Sequence, residues 1–161
     1  MSGNVAVDTL TGKAYTAHQA PLTGQLLNVA IPYNVIASQL LNPWGVTVDH
    51  YSNIYVAVGG RVLKYPGGTS VTGTPGGYDD PQIIFGISVD CSGAVYVADH
   101  AVHRIQVWPN SSVGITIIGK FNVPGNGSDR LTAPVDVKLD RQGNIYVLDR
   151  SHSHLHHPLN K

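Results

Sequence analysis

Four times along this chain an Asp closes a short run in which branched apolar residues alternate with other side chains. The four are Asp8, Asp49, Asp90 and Asp140, at intervals of 41, 41 and 50 residues. A repeat of this length constrains everything else, because a unit that cannot bury its own apolar surface folds only against copies of itself. The runs ahead of the Asp are Val5-Ala6-Val7, Val46-Thr47-Val48, Ile87-Ser88-Val89 and Val137-Lys138-Leu139. Their period of two predicts strands. A turn follows each, richest in turn formers at Asp90-Cys91-Ser92-Gly93 and Asp140-Arg141-Gln142-Gly143-Asn144. Second strands then run through Ala14-Tyr15-Thr16-Ala17, Ile54-Tyr55-Val56-Ala57, Val95-Tyr96-Val97-Ala98 and Ile145-Tyr146-Val147-Leu148, so each unit opens with a hairpin.

Third strands are legible at Arg61–Tyr65 and Arg104–Trp108, and at Leu26–Ala30; fourth strands are expected at Asn34–Ala37, Ser70–Thr72 and Ile115–Ile118. The stretches Pro66–Gly77 and Pro124–Asp129, rich in Gly and Pro, read as loops between sheets. All ten carboxylates are Asp, and the absence of Glu removes a favoured helix former. Three to four strands in every ~40 residues, with no helical period between them, define an all-β chain built of propeller blades. The blades fall at about residues 1–40, 41–80, 81–130 and 131–161, the last incomplete, in a single domain. Such a blade is apolar on both faces. The Tyr at 15, 55, 96 and 146 is expected to bury its ring between blades and to send its hydroxyl to a partner.

The segment Leu41-Asn42-Pro43-Trp44-Gly45-Val46-Thr47-Val48-Asp49, followed by Asn53-Ile54-Tyr55-Val56-Ala57, resembles the NHL repeat. So does Ile87-Ser88-Val89-Asp90 with Tyr96-Val97-Ala98-Asp99 and His103-Arg104-Ile105-Gln106-Val107. The resemblance extends over nearly the whole chain. It implies a β-propeller, commonly of five or six blades, used mostly as a platform for binding partners and in a minority of relatives as a metal-dependent lyase or hydrolase. Four blades without a donor strand ahead of the first lead to the expectation of an open arc, either a fragment of a larger propeller or one half of an assembly. Exposed blade faces and unpaired edges then favour self-association.

Charge and cysteine content narrow the function classes. Ten basic side chains balance ten Asp, so a phosphate-binding surface of the kind that drives nucleic-acid affinity has no compositional support. No apolar run reaches the ~18 to 20 residues that span a bilayer, and no export signal is visible, which leaves the compartment open. The single Cys91 can neither close an internal disulfide nor supply a cysteine zinc site. There is no Gly-x-Ser-x-Gly elbow and no phosphate-binding loop.

Candidate site residues emerge from comparing repeats position by position. The four recurring Asp could form a carboxylate ring around a channel, but Asp at the end of a strand folds back onto the next backbone N–H groups and starts a turn. The turn role is the expectation here. Four residues before each stand Asn4, Gly45, Gly86 and Asp136, of which only the last is charged. Asp136 is expected near the channel mouth, beside another departure, Lys138, and Trp44 and Phe85 precede the Gly positions as a candidate stacking surface at the same rim. His152, His154 and His156 alternate along a tract that aligns in part with a third strand. On one face of a strand they could share a transition metal, adventitious Zn being the expected case. No cofactor is otherwise expected. The reading favoured by the sequence is a non-catalytic binding or scaffolding module whose rim, at Trp44, Phe85, Asp136 and Lys138, engages a protein or a small ligand. Its alternatives are a fragment of a metal-dependent lyase or hydrolase on an NHL-type propeller, and a truncated product without independent function.

Overall fold

The computed structural model describes residues 2–18, 24–28, 34–65, 69–70, 84–109 and 114–150. Among these the chain is entirely β. The first sheet comprises β1 (Ser2–Val7), β2 (Ala14–His18), β3 (Gly24–Asn28) and β4 (Asn34–Leu40). The second comprises β5 (Pro43–Val48), β6 (Ile54–Val58), β7 (Arg61–Tyr65) and β8 (Thr69–Ser70), and the third β9 (Ile84–Val89), β10 (Val95–Asp99), β11 (Arg104–Trp108) and β12 (Ile115–Gly119). A two-stranded sheet of β13 (Pro134–Leu139) and β14 (Ile145–Asp149) follows. Each is an antiparallel meander in sequence order, and we call them blades 1 to 4. Among the described residues no helix is long and apolar enough to cross a membrane.

The first strands β1, β5, β9 and β13 lie side by side, each next to its successor, so the blades radiate from a common axis. Among the described residues blades 1 and 4 do not pair into a closed ring, and the sheets form a propeller arc. Every inner strand begins three residues before its alternating run. The register against the second strand slips between Ser2 and Val5, between Pro43 and Val46, between Ile84 and Ile87, and between Pro134 and Asp136. A bulge breaks the alternation of side chains, which is why period two reveals only the second half of these strands. The third strand of blade 1 is described over Gly24–Asn28; it starts two residues before the apolar run Leu26–Ala30, whose last two residues lie outside the described ones, and pairs with β2 from Tyr15 opposite Asn28 to His18 opposite Gln25. Only Ser70 of the expected Ser70–Thr72 strand is described, paired with Leu63.

Period two also sorts the core. In β6, Ile54 and Val56 pack toward blade 1 with Tyr15, Ala17, Leu26, Leu40 and Val46, while Tyr55 and Ala57 pack toward blade 3 with Ile84, Ile87, Val95, Val97 and Trp108. In β10, Val95 and Val97 face blade 2, and Ala98, with Tyr96 beside it, joins Ile105, Ile118, Leu131, Val137 and Val147 against blade 4. Each blade thus offers a Tyr-bearing face to the inner strand of the next. Among the described residues the two outermost faces lack such a neighbour, and apolar side chains there are exposed: Val5 and Val7 on blade 1 are 63% and 58% exposed, Leu148 on blade 4 is 51% exposed.

Close approach of neighbouring inner strands accounts for two glycines. A Cβ on Gly45 would stand 2.6 Å from the carbonyl oxygen of Phe85 on the next strand. One on Gly86 would collide with the Cα and Oδ1 of Asp136. Side chains at these positions would wedge the blades apart at the axis.

Candidate functional site

The recurring Asp are turn residues, and no carboxylate ring forms. Asp49 Oδ1 accepts hydrogen bonds from the N–H groups of Tyr51 and Asn53, both at 2.9 Å, and its Oδ2 accepts from Asn53 Nδ2 at 2.8 Å and Tyr55 Oη at 3.0 Å. Asp90 and Asp140 repeat the arrangement, with hydroxyls from Tyr96 at 3.3 Å and Tyr146 at 3.2 Å. Asp8 accepts instead from the Thr11 hydroxyl at 2.6 Å. The partner of the tyrosine hydroxyl is therefore the Asp of its own hairpin in blades 2, 3 and 4. Burial pushes the Asp49 and Asp90 carboxyls up, but the bonds they accept outweigh it and hold both below the usual range. Burial, reinforced by the neighbouring carboxylate, pushes the Tyr55 and Tyr96 hydroxyls up.

At the other end of the inner strands the repeat brings together what sequence comparison singled out. Asn4, Trp44, Phe85 and Asp136, one from each blade, line a hollow of about 490 Å³ at the mouth of the axis, with His100, Val135, Leu148 and Arg150 completing its wall. Trp44 and Phe85 meet edge to face, centroids 4.9 Å apart and planes at 82°. Phe85 meets His100 in the same way, at 4.8 Å and 88°. Asp136 Oδ1 accepts from Lys138 Nζ at 2.9 Å and from the Val137 N–H at 2.9 Å, so the carboxylate is compensated where it stands. Lys138 Nζ also lies 3.4 Å from the Ile87 carbonyl oxygen. Lys138 reaches the mouth only through Asp136.

Two lining residues, His100 and Arg150, escape inspection of the inner strands because they sit elsewhere in the repeat. Both are the first residue after a second strand, following Asp99 and Asp149. That shared position, at the corner leading to a third strand, is the signal that could have found them. His100 Nδ1 lies 3.2 Å from the Pro134 carbonyl oxygen. Burial lowers the His100 pKa, the Pro134 bond opposes this, and the charge of Arg150 adds to the lowering. A carbonyl only accepts, so the neutral ring carries its proton on Nδ1 and keeps a lone pair on Nε2. His103 serves the packing of the blades instead. With its backbone in the left-handed region at φ 63°, its Nδ1 accepts from the Ala133 N–H at 3.1 Å and ties the corner of blade 3 to the start of blade 4.

His152, His154 and His156 lie outside the described residues. Among the described residues no three His, Cys, Asp or Glu side chains are grouped to hold a metal ion. Another hollow, of about 520 Å³, lies at the opposite end between the turns of blades 3 and 4, and its carboxylates, Asp90 and Asp140, are the ones already engaged in those turns.

Radial antiparallel blades and inner strands around one axis define a β-propeller arc. Within that arc, residues 86–108 match the NHL repeat family model. The structure is similar to that of a streptogramin B lyase, with TM-score 0.70 and 12% identity over 96% of this chain and 50% of that one. It is also similar to a virginiamycin B lyase from Staphylococcus aureus, with TM-score 0.64 and 12% identity over 92% and 48%, and to the WD40 β-propeller domain of Doa1, with TM-score 0.56 and 15% identity over 93% and 48%. The chain spans about half the length of these structures, and at such identities the likeness concerns the fold. No curated protein matches the sequence.

Proposed function

We propose that this propeller arc is a non-catalytic binding module that grips a small ligand, or a side chain of a partner protein, at the mouth of its axis. One observation carries the reading. The same position of the repeat, or its immediate neighbour, places Asn4, Trp44, Phe85 and Asp136 around a single hollow of about 490 Å³, within the range of pockets that enclose small molecules. Two half-buried aromatic rings supply apolar surface and Asp136 with Lys138 supplies a fixed polar edge. A fragment library screened by NMR tests it: shifts are expected at the Trp44 indole N–H and to vanish for the same fragments in Trp44→Ala. Shifts scattered over the surface, or unaffected by that substitution, would overturn the assignment.

The exposed Val5, Val7 and Leu148 favour a second role for the outer faces, association with another copy of the chain. Light scattering coupled to size exclusion is expected to show a mass that falls on dilution; a monomer at every concentration removes this role.

A further inference from the structure

The mouth carries an imbalance of charge that narrows its ligand. Three ionised groups stand at or beside it: Asp136, Lys138 and Arg150. The first two neutralise each other at 2.9 Å, and Asp136 is further engaged by the Val137 N–H. Arg150 lines the hollow, is exposed, and among the described residues no carboxylate pairs with its guanidinium. His100 is the remaining titratable wall residue, and it is neutral because burial and the nearby Arg150 charge both disfavour its cation. The net local charge is therefore positive, and it resides on the one side chain whose flat fork of N–H donors suits a carboxylate or phosphate.

Trp44 and Phe85 give the hollow an apolar part of its wall. Trp44 and Phe85 meet at 82°, Phe85 also meets His100 at 88°, and the half-buried Trp44 lines the hollow at the end of this row. A ligand cation would compete with Lys138 for the single carboxylate here, Asp136, whose Oδ1 already accepts from Lys138 and the Val137 N–H.

We infer that the mouth selects planar aromatic compounds bearing an anionic group, the ring lying against Trp44 and Phe85 and the anion meeting Arg150. The inference rests on the mouth being a binding site and adds the class of ligand.

Three probes of one shape separate the contributions: 2-naphthoate, 2-naphthamide and 2-naphthylmethylammonium, titrated into the full chain by calorimetry at low salt, with the Trp44 indole N–H followed by NMR. The carboxylate is expected to bind about tenfold more tightly than the amide, a difference of about 1.4 kcal/mol, and the ammonium more weakly than either. Arg150→Gln is expected to bring the carboxylate down to the amide's affinity and leave the amide unchanged, with Arg150→Lys in between because it keeps the charge and loses the fork. The side chain is exposed, so the fold tolerates both substitutions. Equal affinity for all three probes with a shifted Trp44 signal, or a carboxylate preference that survives Arg150→Gln, would overturn the ligand class and leave the mouth as a binding site. No Trp44 shift with any probe would remove both.

Discussion

Blades 3 and 4 use the same plan in opposite circumstances. Blade 3 is covered on both faces, with Ile87 1% exposed between it and blade 2, whereas blade 4 is covered on one face only and leaves Leu148 in water. Their polar positions diverge accordingly. Asp99, at the end of β10, pairs with Arg104 Nε at 3.3 Å, and Arg104 also donates to the Thr116 hydroxyl at 3.2 Å. Asp149, the counterpart at the end of β14, accepts from the Thr132 N–H at 2.8 Å through Oδ2, but its buried Oδ1 has no partner. At the axis, blades 2 and 3 put Gly45 and Gly86 where the next strand approaches, followed by Thr47 and Ser88; blade 4 puts Asp136 and Lys138 there. An inner strand seated on β13 as β13 sits on β9 would have to displace that ion pair. The difference teaches that neighbours, more than the local sequence of a hairpin, decide which polar residues a blade can hold.

Breaking the comparison begins with its most buried charge. Arg104→Met is expected to cost about 3–5 kcal/mol, because it leaves the Asp99 carboxylate buried without its cation. Asp99 has its pKa raised by burial even with Arg104 beside it, so protonation favours the fold. The deficit should therefore shrink on acidification and grow as pH rises through the Asp99 pKa, in urea titrations at several pH values. A deficit independent of pH would assign the loss to packing of the Arg104 stem.

Next in size, Ile87→Ala is expected to cost about 2–5 kcal/mol, while Leu148→Ala stays within about 0.5 kcal/mol. Equal costs would mean that the outer face of blade 4 is covered in solution. Gly86→Ala should cost about 1–3 kcal/mol through overpacking against Asp136, whereas Asp136→Ala, at the same repeat position with no following inner strand among the described residues, should stay within about 0.5 kcal/mol. Thermal unfolding of both variants makes the contrast. The smallest effect concerns the turns. Asp49 and Asp90 are held below the ordinary 3.8, so their contribution is present above that value and is lost as pH falls through their lowered folded values. The Asp49→Asn, Asp90→Asn double variant should lose stability near neutrality and show a flatter decline in acid. An unchanged acid limb would place the acid sensitivity elsewhere.

Much of the fold was legible because each strand after the bulge repeats an apolar alternation that water enforces on both faces. Arg61–Tyr65 and Arg104–Trp108 were readable to the residue. The starts of the inner strands were not, since a bulge erases period two, nor was the start of the third strand of blade 1, where Gly24 and Gln25 precede the apolar run and Gln25 pairs with His18 of β2. At the mouth, Trp44, Phe85 and Asp136 stood out as departures from a shared position. His100 and Arg150 did not, because they approach from corners 14 residues downstream of Gly86 and Asp136, and only a three-dimensional turn brings the two positions to one wall.

In the Asp turns of blades 2, 3 and 4, donors and acceptor all belong to a stretch of seven consecutive residues, from Asp49 to Tyr55 in blade 2. Such a loop is polar-complete by itself. Copying, deleting or transplanting one hairpin therefore leaves the turn carboxylates of its neighbours with their own partners, and each turn carries its polar anchor with it.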